Sequence, residues 1–269
     1  MIRRKNARSR LLKAGAALLH NHRLMGSENC VCTALTQDYF ASDSWLVQRP
    51  MFLITVSMQG AGESSAEKLI AYGGVQRLPT SKAELFQRRD FLTREHCDEL
   101  IRLIDKDRRP STIADDNGDA YFRTSETCDL AVDELAVQRL EALLFDLNGI
   151  DPAHGEPVQG QRYGVGQEFK AHTDYFTPGG ADFEKYCSMA GNRTWTFMIY
   201  LNAVEAGGAT RFKAVGKSFQ PESGKLLCWN NKRTDGRVNP NTLHHGMKVR
   251  KGVKYVITKW YREKPWGWE

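Results

Sequence analysis

Residues 161–176 read QRYGVGQEFKAHTDYF, and the spacing inside this stretch decides how the chain folds. Two predicted strands, 157–163 and 168–175, flank the glycine-rich step at Gly164 and Gly166. Successive side chains of a strand point to opposite faces, so His172 and Asp174, two apart, share a face and can reach one metal ion. On a helix the same spacing separates side chains by about 200°. That disqualifies His96-Cys97-Asp98, which lies where Cys97, Leu100, Ile101 and Ile104 repeat with helical period.

A third donor has to come from a distant strand, and His244 and His245 are available. Adjacent strand residues face opposite ways, so only one of the pair can join His172 and Asp174. Two His and one carboxylate on one face of a metal form the facial triad of non-haem Fe(II) oxygenases. Further short strands are expected at 194–202, 210–213, 224–229, 242–249 and 253–262. Turn signals at 178–180, 207–208, 235–236 and 251–252 separate several of them. That spacing suggests an antiparallel sandwich or barrel. Upstream, 83–91 reads as a short strand, Thr93 as the N-cap of a helix, and 131–148 as a second helix stopped by Gly149.

The 269 residues are 41% hydrophobic and 26% charged, a globular composition. The longest apolar-rich uncharged run, 51–62, is too short for a membrane span. The formal charge of +6 arises in residues 1–25, which hold seven basic and no acidic side chains; the remainder is balanced. The high pI therefore gives no reason to expect nucleic-acid binding. Residues 1–62 read as a poorly ordered basic leader, with a helix near 7–20, and 63–269 as the functional domain. Six cysteines in no framework read as reduced thiols and a cytoplasmic location.

Four segments in the same order resemble the prolyl 4-hydroxylase family of 2-oxoglutarate/Fe(II) dioxygenases. They are 161–176, RTWTFMIYLNAVEAGGATRF at 193–212, PESGKLLCW at 221–229, and NPNTLHHGMKVRKGVKYVITKWYR at 239–262. The resemblance implies a mostly β fold with N-terminal helices: a double-stranded β-helix, or jelly roll, over 151–265 behind a helical lead-in at 83–150. It implies Fe(II) held by His172, Asp174 and His244, with His245 either behind the ligands or on the outer face. It also implies 2-oxoglutarate held by Lys254, Tyr163 and Thr196, with O2 as oxidant and L-ascorbate as reductant. Phe169 stands where the family often has tyrosine.

The residues agree with that assignment. Lys254, Val256, Thr258, Trp260 and Arg262 share one strand face, and a lysine buried beside Val256 needs a carboxylate partner. Trp260 matches a position that lines the family's peptide groove, and Arg262 is expected to hold a peptide carbonyl or acidic group. The implied reaction hydroxylates a peptidyl or protein proline with release of succinate and CO2. The alternatives are hydroxylation of a free amino acid or other small molecule, and a non-catalytic jelly-roll binding module.

Overall fold

The alternation in 194–202 splits one strand between two cores. Trp195, Phe197, Ile199 and Leu201 join a cluster with the apolar faces of the N-terminal helices. Met198 and Tyr200 turn the other way, into a second cluster. Phe197 and Ile199 are fully buried, each contributing about 1.5–3 kcal/mol.

The computed structural model describes residues 64–112 and 121–267. The expected leader and its helix lie outside the described residues. In chain order the elements are α1 (Ser65–Ala71), β1 (Gln76–Arg77), β2 (Leu85–Arg88), α2 (Arg94–Lys106), β3 (Arg109–Pro110) and β4 (Glu126–Asp129). Next come α3 (Leu135–Asn148), β5 (Gln159–Tyr163), β6 (Phe169–His172), α4 (Phe183–Cys187), β7 (Arg193–Tyr200) and β8 (Ala206–Gly207). The chain continues through β9 (Thr210–Phe212), β10 (Lys217–Phe219), β11 (Leu226–Asn230), β12 (His244–Gly246), β13 (Val249–Lys251) and β14 (Lys254–Arg262).

A large antiparallel sheet runs β1-β2-β11-β7-β14-β5-β4-β3, and a smaller one runs β10-β9-β12-β6. Phe212 and Phe219 of the small sheet share a core with Leu85, Met198, Leu227 and Val256 of the large one. The two sheets therefore pack face to face, as a jelly roll requires. The helices cover the outer face of the large sheet. Gly160 permits close approach there, because a Cβ at this position would sit 2.3 Å from Ile104 of α2.

Both expected helices form. The Thr93 side chain accepts from the His96 amide, and Gly149 closes α3 at φ 65°. α3 begins later than expected, because residues 131–134 make a turn. His96 is structural: its Nε2 donates to the Ala136 carbonyl at 2.8 Å. Two-residue strands such as β1, β3 and β8 carry no periodicity and were not expected.

Candidate metal centre and co-substrate cleft

His244 lies directly opposite His172 in the β12–β6 pairing, with ring centroids 4.3 Å apart. Donor atoms of His172, Asp174 and His244 all lie within 4.8 Å of one another. The expected strand 168–175 stops at His172, so Asp174 reaches the cluster from the bend that follows rather than from a strand face. Two contacts hold it there. Thr196 Oγ1 donates to Asp174 Oδ2 at 2.7 Å, and Arg193 donates to the Asp174 carbonyl at 3.3 Å.

The imidazoles are set for ligation. His172 Nδ1 donates to the Lys170 carbonyl at 2.7 Å, and His244 Nδ1 donates to the Thr242 carbonyl at 3.0 Å. Carbonyls only accept, so each Nδ1 carries hydrogen and Nε2 is the nitrogen left to ligate. Burial and the neighbouring His244 push the His172 imidazolium down to about 3, so this ring is neutral at physiological pH. Burial alone would raise the Asp174 carboxyl, but His244, His172, Arg193 and Thr196 hold it below its ordinary range. Two imidazoles and one carboxylate are the donor set of a facial-triad Fe(II) site, and these residues fit that ion. His245 turns outward to Glu168, 3.0 Å away.

The triad opens on a cleft between the sheets. Tyr163, Phe169, Thr210, Trp229, Lys254 and Trp260 are among the residues lining it. Phe169 stacks on His172 at 3.5 Å between ring centroids. Lys254 is 2% exposed, and among the described residues its ammonium has no carboxylate or hydrogen-bond partner. Its nearest charge-stabilising neighbours are the rings of Tyr163 and Tyr200, 4.9 and 5.5 Å away. Burial lowers the Lys254 pKa to about 7.

Two expected contacts need correction. Thr196 does not line the cleft; it donates to Asp174 and accepts from Asn231. The register also sets Thr196 far from Lys254, at the level of Trp260. Thr196 pairs with Trp260, whereas Lys254 pairs with Tyr163, and six residues of strand separate the two levels by about 20 Å. Thr210 lines the cleft instead, accepting a hydrogen bond from Tyr200 Oη at 2.6 Å.

Arg262 also leaves its expected place. The register shifts by one residue of β7 between Tyr261 and Arg262, which sets Arg262 opposite Arg193. The guanidinium pairs with buried Glu156 at 2.5 Å and donates to the Tyr186 and Gly191 carbonyls. Arg193 binds the same carboxylate at 2.6 and 2.7 Å. Trp260 does line the cleft, with the Arg193 guanidinium 3.9 Å from its ring centroid. The indole nitrogens of Trp229 and Trp260 are buried and unpaired among the described residues.

Arg123 was not singled out from the sequence. It sits 4.9 Å over Phe169 and donates to Ser125, Thr127 and Gln159. Its signal, an arginine in a short polar segment, is indistinguishable from a surface charge.

The profile of the 2OG-Fe(II) oxygenase superfamily matches residues 158–262, the segment that supplies the triad and Lys254. Probable prolyl 4-hydroxylase 10 of Arabidopsis thaliana is 32% identical over 197 residues, covering 64% of this chain and 66% of that protein. The chain belongs to the prolyl 4-hydroxylase family of 2-oxoglutarate/Fe(II) oxygenases. The human prolyl 4-hydroxylase subunit alpha-1 is 33% identical over 172 residues, covering 62% of this chain but 32% of the subunit. The chain thus spans just under two thirds of the plant prolyl 4-hydroxylase and about a third of the human subunit. Among solved structures of prolyl hydroxylases, the viral collagen prolyl hydroxylase of Paramecium bursaria Chlorella virus-1, a 2OG complex, superposes with a TM-score of 0.52 at 26% identity. That match covers 66% of this chain and 95% of the viral one.

Proposed function

We propose that the chain is a 2-oxoglutarate- and Fe(II)-dependent dioxygenase that hydroxylates a prolyl residue of a peptide or protein, releasing succinate and CO2. One observation carries the reading. The cleft that holds a two-His, one-carboxylate donor set also holds a buried lysine with no partner of its own. A dianion that chelates a metal through one end and offers a carboxylate at the other satisfies both. Fe(II) bound by His172, Asp174 and His244 would supply the oxygen-activating chemistry.

The chain's own residues do the rest. Lys254 pairs with the distal carboxylate and fixes the co-substrate's direction. Thr196 holds Asp174 by its outer oxygen, and Phe169 packs against the His172 ring. Trp260 gives an aromatic wall on which a proline ring packs. Sheet-to-sheet packing shields the cleft from bulk water.

The plant and animal relatives, named as prolyl 4-hydroxylases, support the substrate class. L-Ascorbate belongs to this reading as the family's reductant. A cytoplasmic location is supported by four buried free thiols, at Cys97, Cys128, Cys187 and Cys228. Among the described residues, no helix is long and apolar enough to cross a membrane.

The test is a panel of proline-containing peptides, free proline and other amino acids, incubated with Fe(II), 2-oxoglutarate and ascorbate. A product 16 Da heavier (one oxygen atom) on proline within peptides is expected. Modification of a free amino acid alone would move the reading to a small-molecule hydroxylase.

A further inference from the structure

Asn231 is fully buried just beyond the end of β11, and its Oδ1 has no partner among the described residues. Its Nδ2 donates to Thr196 Oγ1 at 2.9 Å, and Thr196 donates onward to Asp174 Oδ2 at 2.7 Å. A hydroxyl has a single hydrogen. Accepting from Asn231 leaves Thr196 to direct that hydrogen at the carboxylate, so the chain of bonds has one direction. Oδ2 is thereby occupied, and Oδ1, the oxygen 3.8 Å from His172 Nε2, is left for the shared centre.

The Asn231 backbone is itself anchored. Its amide donates to the Thr194 carbonyl at 2.7 Å, and its carbonyl accepts from the Asn239 amide at 2.8 Å. The Asn239 carbonyl accepts from Thr242 Oγ1, and the Thr242 carbonyl orients His244. The base of this hairpin is therefore tied to Asp174 by a side chain and to His244 through backbone.

We propose that Asn231 is a positioning residue of the metal centre, acting on Asp174 through the Thr196 hydroxyl. Among the described residues it hydrogen-bonds to none of the three donor side chains. The inference rests on reading His172, Asp174 and His244 as metal donors. If Asn231 only closed its hairpin, its loss would lower stability and leave metal affinity alone.

The experiment is a calorimetric titration of redox-inert Mn(II) into the full chain, with thermal unfolding recorded in parallel. Thr196→Val should weaken Mn(II) binding by about ten- to a hundredfold, the usual range for lost partners of metal ligands. Thr196→Ser should restore it. Asn231→Leu should weaken binding by about tenfold, and Asn231→Leu combined with Thr196→Val should bind no worse than Thr196→Val alone. That non-additivity is the signature of one residue acting through the other. Should Asn231→Leu fail to fold, Asn231→Ala replaces it in the cycle. Unchanged affinity in the Asn231 variant, or additive losses in the double variant, overturns the proposal. Absence of stoichiometric Mn(II) binding in the wild type, or its retention in His172→Ala, instead overturns the metal-site reading beneath it.

Discussion

Lys254→Met separates what the lysine costs the protein from what it does for the co-substrate. Burial lowers its pKa to about 7 from an ordinary 10.5. At about 1.4 kcal/mol per unit, the ligand-free protein carries roughly 5 kcal/mol of unfavourable charge burial at or below pH 7. The folded pKa lies below the unfolded one. Between pH 7 and 10.5 the unfolded chain therefore keeps a proton that the folded chain has released, and stability rises with pH across that window. Methionine removes the penalty, so ligand-free Lys254→Met should melt higher than wild type at pH 7. About 2–4 °C per kcal/mol is expected for a domain of this size. The advantage should vanish towards pH 10.5.

The co-substrate sees the opposite effect. Losing the partner of a buried carboxylate costs about 3–5 kcal/mol, which is about a hundred- to a thousandfold or more in 2-oxoglutarate affinity. In the wild type the affinity should fall towards tenfold per pH unit above about 7, because the lysine must be recharged on binding. Calorimetry on the Mn(II)-loaded protein at pH 6.5 and 8.5, with melting curves of both proteins, checks these signs. Unchanged 2-oxoglutarate affinity in Lys254→Met, or affinity in the wild type that does not vary with pH, would refute the reasoning.

Replacing His172, Asp174 or His244 by alanine should abolish iron-dependent turnover, while His245→Ala keeps a substantial part; a dead His245 variant beside an active His244 variant reverses the assignment. Trp260→Ala should raise the KM for the primary substrate and leave uncoupled 2-oxoglutarate consumption nearly intact; equal losses in both would make Trp260 a packing residue. Arg262→Met should destabilise the protein by about 3–5 kcal/mol, because Glu156 loses one of its two buried partners, with no selective rise in substrate KM; unfolding and steady-state kinetics separate the two. Burial alone would raise the Glu156 carboxyl, but Arg193 and Arg262 hold it below its ordinary range. Its contribution to stability is thus present above the ordinary glutamate pKa and lost as pH falls through the lowered one. Acid unfolding of Arg262→Met should begin at a higher pH than that of wild type.

The strands that carry strict alternation were legible, since β7 and β14 each bury both faces and their two residue sets had to differ. His172 was legible from the alternation along its own stretch, whereas His244 and Lys254 were legible only through the family resemblance, since the residues alone left His244 and His245 as alternatives. Asp174 was legible as a donor but not in its setting, because the strand ends before it and a bend does the work. Arg262 was misread because its guanidinium is taken by Glu156, a buried carboxylate from a loop that the strand pattern does not reveal. Thr196 was misread because face alone does not say how far along the cleft a side chain lies. Glu156 and Asn231 escaped notice because single polar residues in loops carry no period; only the buried groups they meet reveal them.

The most direct measurement is succinate formed from 2-oxoglutarate by the full chain under air, with Fe(II) and a proline-containing peptide, beside the same assay on Asp174→Ala. Succinate and oxygenated peptide should form in equal amounts, both lost when Fe(II) is chelated and both absent from Asp174→Ala. Succinate formation undiminished in Asp174→Ala, or none from the wild type with any peptide, amino acid or other small molecule tried, would contradict the proposed function.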